Sequence, residues 1–272
     1  MNYRNRLKDK QKIVVKIGTN LLTHEDGGLN MTRIEKLVRI LADLKKKGKD
    51  IILVSSGAVG VGMEILGLDR KPEDLTRKQA MAAVGQAGLI RLYQKFFEAH
   101  HIHVAQILLT RDGLESGKRR INARNTFNAL LEMGIMPIVN ENDTVSTEEI
   151  EFGDNDTLSA AVAILVYADL LIILTNTDGV YTADPHTDES ARKVSRVDDA
   201  CSDLKDIDLN GKSRLGSGGM ASKVAAAEMC REHNLDVIIA DGSDPLTIRD
   251  ILEGKERGTY FVSETTDAPK TR

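Results

Sequence analysis

Short, almost wholly apolar runs recur along this chain, and each is closed by glycine or by polar residues. The first is Lys12-Ile13-Val14-Val15-Lys16-Ile17-Gly18 and the second Ile51-Ile52-Leu53-Val54; others cover 104–109, 136–139, 170–174, 237–239 and 259–262. Runs this short, rich in Ile, Val and Leu and without polar alternation, read as strands buried on both faces. Between them lie stretches with apolar residues at helical spacing, such as Ile34, Leu37, Val38, Leu41 and Leu44. Strand alternating with helix predicts an α/β protein: a largely parallel sheet covered by helices on both sides.

Helices are predicted over 32–47, 77–100, 122–133, 156–167 and 220–233. Thr32 with Glu35 fits a capping box for the first. Pro245 fits the first position of a further helix. Residues 178–181 read as a turn leading into a polar segment, 182–196, and 263–272 as a disordered tail. No linker rich in Pro or Ser, no repeat and no low-complexity tract divides the chain, so residues 1–262 are expected to form a single domain.

Formal net charge is -4 and the pI about 5.9, which gives no electrostatic footprint for nucleic acid. The polar start, residues 1–12, lacks the apolar centre of a secretory signal, and two cysteines make no disulfide framework; both predict a cytoplasmic protein. The longest apolar stretch, 158–175, is interrupted by Asp169 and reads as a buried helix and strand rather than a membrane span.

In parallel α/β sheets, ligands bind where strand ends meet helix starts. Those junctions here are Lys16 to Gly18, Ser55 to Gly57, Asn140 to Asp143, Thr175 to Asp178, and Asp241 to Ser243. Between Asn140 and Asp156 there are seven acidic residues and no Lys or Arg. Carboxylates so close must be solvated, hold a cation or face lysines from elsewhere. Lys16 ends an apolar strand, and Lys223 follows Gly216-Ser217-Gly218-Gly219 in the first turn of a helix, where a cation opposes the helix dipole. A bound phosphate would relieve both placements, and a glycine loop before a helix suits one. Neither Gly57 to Gly62 nor Gly216 to Gly219 is a Walker A loop or a dinucleotide fingerprint, so each is weak alone.

Asp154-Asn155-Asp156 starts like a calcium loop, but Ser159 stands where glycine is required. His100, His101 and His103 lack a further ligand and read as surface residues. No Ser-His-Asp set or other catalytic base stands out. That pattern suits phosphoryl transfer to a carboxylate. A carboxylate acceptor, with an ordinary pKa of about 4.3, is already ionised at neutral pH, so positioning and charge cancellation matter more than proton transfer.

Taken together, the residues resemble the amino acid kinase family. The resemblance runs over about 12–262 and rests on Val14-Val15-Lys16-Ile17-Gly18-Thr19, Val54-Ser55-Ser56-Gly57-Ala58-Val59, Lys78-Gln79-Ala80 with Ala83-Val84-Gly85-Gln86, Asn122-Ala123-Arg124-Asn125-Thr126, Asn140-Glu141-Asn142-Asp143, Gly153-Asp154-Asn155-Asp156, Asp178-Gly179-Val180-Tyr181-Thr182-Ala183-Asp184-Pro185, and Gly218-Gly219-Met220 with Lys223. Ala-Val-Gly-Gln and Asn-Glu-Asn-Asp favour the branch acting on L-glutamate.

The resemblance implies a three-layer αβα sandwich with a central, mostly parallel sheet. It implies ATP-dependent phosphorylation of L-glutamate to L-glutamyl 5-phosphate, the first step of proline biosynthesis, with Mg2+ carried on the nucleotide phosphates. By the same resemblance, Lys16 and Lys223 neutralise the phosphoryl group in transfer and Asp156 organises them. Ser56, Gly57, Ala58, Asp143 and Asn155 are expected to hold glutamate. Lys16, Thr175, Asn176, Ser217, Gly218, Gly219, Met220, Ala221, Ser222 and Lys223 are expected to contact ATP. The N-terminal part would bind the acceptor and the C-terminal part the nucleotide. Also implied are a homo-oligomer, feedback inhibition by proline, a link to glutamyl phosphate reductase, and a form without the RNA-binding-like C-terminal PUA domain. This chain departs from the family at Asn176, where Asp is usual, and at Ser217, where Thr is common but a hydroxyl is kept.

Two kinds of alternative stay open at this point. A relative phosphorylating N-acetylglutamate or aspartate would share the same lysines; Asp143 argues for a free α-ammonium on the acceptor. A non-catalytic amino-acid sensor would be expected to lose Lys16, Asp156 or Lys223, and all are present. A nicotinamide dehydrogenase is disfavoured because no strand runs into the Gly216 loop.

Overall fold

The computed structural model describes residues 3–24, 28–68, 70, 72–110, 113–114, 117–145, 155–185, 187–198 and 219–263. After a 3-10 helix at Tyr3–Asp9 come β1 (Lys12–Ile17), α1 (Thr19–Leu22), α2 (Met31–Lys46), β2 (Asp50–Ser55), α3 (Ala58–Leu66), α4 (Leu75–Glu98), β3 (Val104–Leu109), α5 (Gly117–Glu132) and β4 (Met136–Glu141). The second half adds α6 (Asn155–Leu165), β5 (Leu170–Thr175), β6 (Val180–Tyr181), β7 (Lys193–Val194), β8 (Arg196–Val197), α7 (Met220–Arg231), β9 (Asp236–Asp241), α8 (Leu246–Leu252) and β10 (Thr259–Phe261).

Eight strands form one sheet in the order β3-β4-β2-β1-β5-β9-β10-β8. All neighbours are parallel except β9 and β10. The expected αβα sandwich is thus observed. Successive strand residues point to opposite faces, and β1 shows the consequence: Ile13, Val15 and Ile17 pack with α2, α4 and α8, whereas Val14 packs with α5, α6 and α7. These side chains are fully buried, so each contributes about 1.5–3 kcal/mol of burial. Ile172→Ala in β5, at a fully buried position, would leave a cavity costing about 2–5 kcal/mol.

Register fixes where the strands end. Ile17 pairs with Ser55 and Leu174, Leu109 with Glu141, and Thr175 with Asp241. The junctions picked out in the sequence therefore share one edge of the sheet.

Local differences from the sequence reading have simple causes. Asn30, not Thr32, caps α2: its Oδ1 accepts from Arg33 N at 2.9 Å, satisfying a first-turn donor and leaving Thr32 inside the helix. Pro245 is the residue before α8, which begins at Leu246. Helix α5 begins at Gly117, earlier than expected. The expected turn at 178–181 ends in β6, which pairs with β7 in the polar segment 182–196, and β8 begins at Arg196 on the sheet's edge. Strands of two residues carry no readable period. Ser263 is buried, with its N and Oγ both donating to Asp236 Oδ1 at 2.9 and 2.8 Å; 264–272 lie outside the described residues. Among the described residues no helix is long and apolar enough to cross a membrane.

Candidate active site

Lys16 lies two residues beyond Val14 on β1, so alternation turns it toward α6 and α7, at the strand's C-terminal end. Its Nζ lies 2.5 Å from Asp156 Oδ1. From the other side, Lys223 Nζ reaches Asp156 Oδ2 at 2.9 Å. Asp156 is 0% exposed, and Lys16 and Lys223 only 5% and 6%. Ser222 adds a hydroxyl hydrogen bond, donating to Asp156 Oδ2 at 3.0 Å.

Helix ends supply the rest of the electrostatics. Asp156 sits in the first turn of α6, where a carboxylate is favoured, and Lys223 in the first turn of α7, where a cation is not. The ion pair with Asp156 offsets that cost. Burial pushes the Asp156 carboxyl up, but attraction to Lys16 and Lys223 and the hydrogen bonds they donate outweigh it, holding the carboxyl below its ordinary range. One carboxylate thus sits between two ammoniums, beside two helix N-termini. Such a place attracts an anion, phosphate above all.

A second cluster adjoins the first through Asn155, the neighbour of Asp156. Asn155 Nδ2 donates to Ser56 Oγ at 2.7 Å and to Asn140 Oδ1 at 2.9 Å. Asn140 Oδ1 also accepts from Glu141 N at 2.9 Å, while its Nδ2 donates to Gln86 Oε1 at 2.8 Å. Asn155 Oδ1 is buried and has no hydrogen-bond partner among the described residues. An orphan acceptor of this kind awaits a donor. Ser56 is the first residue past β2, held by Ser56 N donating to Ile17 O at 3.1 Å. Gly57 follows at φ +107°, a left-handed conformation that only glycine takes easily, and turns the chain into α3 at the buried Ala58.

The structure thus joins Lys16, Asp156, Lys223, Asn155 and Ser56 in one continuous polar site. Asp143 stands in a turn just past β4, three residues beyond Asn140, with Asn142 N donating to Leu109 O at 2.8 Å. Thr175 ends β5, buried, next to an exposed Asn176. Gly219 caps α7, and Met220, Ala221 and Ser222 form its first turn. Ser222 is expected from the sequence to touch nucleotide; its hydroxyl lies within hydrogen-bond distance of Asp156 Oδ2 and Gly219 O. Ser217 and Gly218, with Asp154, Glu148, Glu149 and Glu151, lie outside the described residues.

Gln86 is a member that sequence reasoning does not assign to the site, whereas Asn140 opens the stretch 140–143 expected to read the acceptor. Gln86 carries a signal of its own: it shares the helical stripe of Met81, Ala82, Gly85, Leu89 and Tyr93, and a polar residue on a buried stripe needs a partner.

The donor set also bears on magnesium. Among the described residues no three His, Cys, Asp or Glu side chains gather into a metal-binding group. The ammoniums around Asp156 suit phosphate oxygens, which fits a cation brought in on a nucleotide.

Residues 11–241 match the amino acid kinase family. The chain is 48% identical over 265 residues to glutamate 5-kinase from Clostridium perfringens, covering 96% of this chain and 98% of that protein. It is 47% identical over 259 residues to glutamate 5-kinase from Carboxydothermus hydrogenoformans, covering 95% of this chain and 69% of that one. The fold is similar to solved structures of UMP kinase from Ureaplasma parvum (TM-score 0.65, 18% identity, 93% of this chain and 99% of that one) and of isopentenyl phosphate kinase (TM-score 0.65, 17% identity, 93% and 100%).

Proposed function

The chain belongs to the amino acid kinase family, and we propose that it transfers the γ-phosphoryl group of ATP to the side-chain carboxylate of L-glutamate, giving L-glutamyl 5-phosphate and ADP in proline biosynthesis. The observation that carries the reading is the buried Lys16–Asp156–Lys223 set adjoining the Asn155–Ser56 pair.

A glutamate carboxylate oxygen attacks the γ-phosphorus as the bond to the bridging oxygen of ADP breaks. The acceptor is ionised at neutral pH, so no base has to remove a proton. Negative charge spreads over the equatorial oxygens, and fixed cations placed there lower the barrier. In this reading Lys16 and Lys223 supply that charge, and Asp156 keeps the ammoniums aimed. Magnesium, carried by the nucleotide, would neutralise phosphate charge further. In this reading Ser56, Gly57, Ala58, Asp143 and Asn155 hold glutamate: Asp143 faces the α-ammonium, and the Ser56 hydroxyl, whose oxygen already accepts from Asn155, keeps its proton for a carboxylate. Thr175, Asn176, Ser217, Gly218 and the first turn of α7 take the nucleotide, so acceptor and donor halves follow the N- and C-terminal parts of one domain.

The product is a mixed carboxylic–phosphoric anhydride, which water destroys. That favours a reductase consuming it close by, in the cytoplasm. Feedback by proline and a homo-oligomeric state complete the proposal.

The deciding experiment traps acyl phosphate with hydroxylamine while glutamate, N-acetylglutamate and aspartate are each offered with ATP and magnesium. Hydroxamate from glutamate is expected. Its absence, with hydroxamate from another acceptor, overturns the substrate assignment.

A further inference from the structure

We propose that Gln86 is a positioning residue of the acceptor site, acting through Asn140 to fix Asn155. The inference rests on the glutamate kinase reading and adds a residue that touches neither substrate nor phosphate.

The hydrogen-bond directions follow from one fixed donor. Glu141 N can only donate, so the atom of Asn140 facing it at 2.9 Å is Oδ1. Asn140 Nδ2 is then the atom directed at Gln86, and the Gln86 atom 2.8 Å away must be the acceptor Oε1. Asn140 Oδ1 in turn demands a donor from Asn155, which orients Nδ2 toward Asn140 and Ser56 and leaves Asn155 Oδ1 aimed at the space still lacking a partner. Rotating any one amide sets oxygen against oxygen or N–H against N–H along the row. Asn140 is 3% exposed and Gln86 9%, so water does not readily replace a lost partner.

Gln86 is itself held by its helix. A Cβ on the preceding Gly85 would fall 1.8 Å from Ala58 O and 2.4 Å from Gly62 N, so α4 lies against α3 backbone to backbone. Two turns further along α4, the Tyr93 hydroxyl meets Ser55 Oγ at 2.9 Å. The same helix face therefore grips the ends of both β2 and β4, the strands that lead into Ser56 and Asp143.

The test compares wild type with Gln86→Met, which keeps the shape and removes the acceptor. Steady-state constants are measured for glutamate and for ATP by hydroxamate formation, with the thermal midpoint alongside. Glutamate KM is expected to rise about tenfold, the usual effect of stranding a buried donor, while ATP KM stays within about twofold. In an Asn155→Ala background the same substitution is expected to add less than about twofold, because the residue it acts on is gone. An unchanged glutamate KM, a parallel rise for ATP, or full additivity overturns the proposal. If Gln86→Met does not fold, Gln86→Ala takes its place with the same expected outcomes, and Gln86→Glu, which retains an acceptor oxygen, is expected to bring glutamate KM back to within about threefold of wild type; an unchanged KM in Gln86→Ala or no recovery in Gln86→Glu overturns the role. Wild-type turnover is measured first. Should another acceptor prove to be the substrate, the glutamate reading fails while the Gln86 comparison runs on that acceptor with the same outcomes.

Discussion

Lys223 Nζ lies 2.9 Å from Asp156 Oδ2, although the two residues belong to the first turns of different helices. Asp156 therefore does two jobs at once. It compensates a cation that its own helix end disfavours, and it ties α7 to α6 and, through Lys16, to β1.

Replacing Asp156 by Asn keeps the shape and removes the charge. Two buried ammoniums would then face each other. Turnover is expected to fall by about 10²–10³, and stability by about 3–5 kcal/mol, the usual result of breaking a buried ion pair. Hydroxamate kinetics and chemical denaturation measure the two effects; near-normal values in both would remove Asp156 from its role.

Lys16→Ala and Lys223→Ala should separate catalysis from folding. Each removes a cation from the site and leaves Asp156 with the other lysine. We expect turnover to drop by about 3–4 kcal/mol in barrier terms, on the scale of losing one electrostatic contact to the transition state. Circular dichroism should remain that of the wild type. Near-normal turnover in either variant would clear that lysine of the assigned part.

Acid should unfold this protein through identifiable carboxyls. Asp156 and Asp236 both titrate below the ordinary carboxyl range. In each, burial pushes the pKa up but is outweighed, in Asp156 by Lys16 and Lys223, in Asp236 by Lys10, the Ser263 backbone and Arg6. Unfolded carboxyls sit near about 3.9, so between the folded and unfolded values the unfolded chain holds more protons and stability rises with pH. The contribution is complete above the unfolded value and is lost as pH falls through about 4 and below. Urea midpoints measured from pH 6 downward should show this decline, and Asp236→Asn should flatten part of it.

Much of the fold and the site is legible in the chain itself, and the reasons can be located. Lys16 stands out because a charge in a run such as Ile13-Val14-Val15-Lys16-Ile17 is costly without a partner. Lys223 stands out because it opposes a helix dipole. Strand ends are readable because buried strands are apolar and their exits are not. Partners of Asn155 are not readable: the pairing depends on which strands are neighbours, β2 beside β4, and this order is set by packing of whole layers. The Asn30 cap is masked by Thr32 in sequence because both residue types cap well and the choice turns on a residue or two of helix length.

Gly85→Ala tests the close approach of α4 to α3. With no room for the methyl group against Ala58 O, the helices must separate. We expect a loss of about 1–3 kcal/mol, as for other overpacked sites, together with a higher glutamate KM and little change for ATP. A thermal midpoint equal to wild type would show that the contact relaxes without cost.

Arg4 donates to the carbonyls of Ser195, Arg257 and Gly258 at 3.0, 2.5 and 2.9 Å, and its neighbour Arg6 reaches Asp236. These partners are made long after Arg4 during translation. During synthesis this set of bonds stays incomplete until residue 258 has emerged. Loop closure over such a span is slow, so the segment around Arg4 lacks its full set of partners while synthesis continues. Assembly of the far end of the sheet is thereby timed by the last strand rather than by the first.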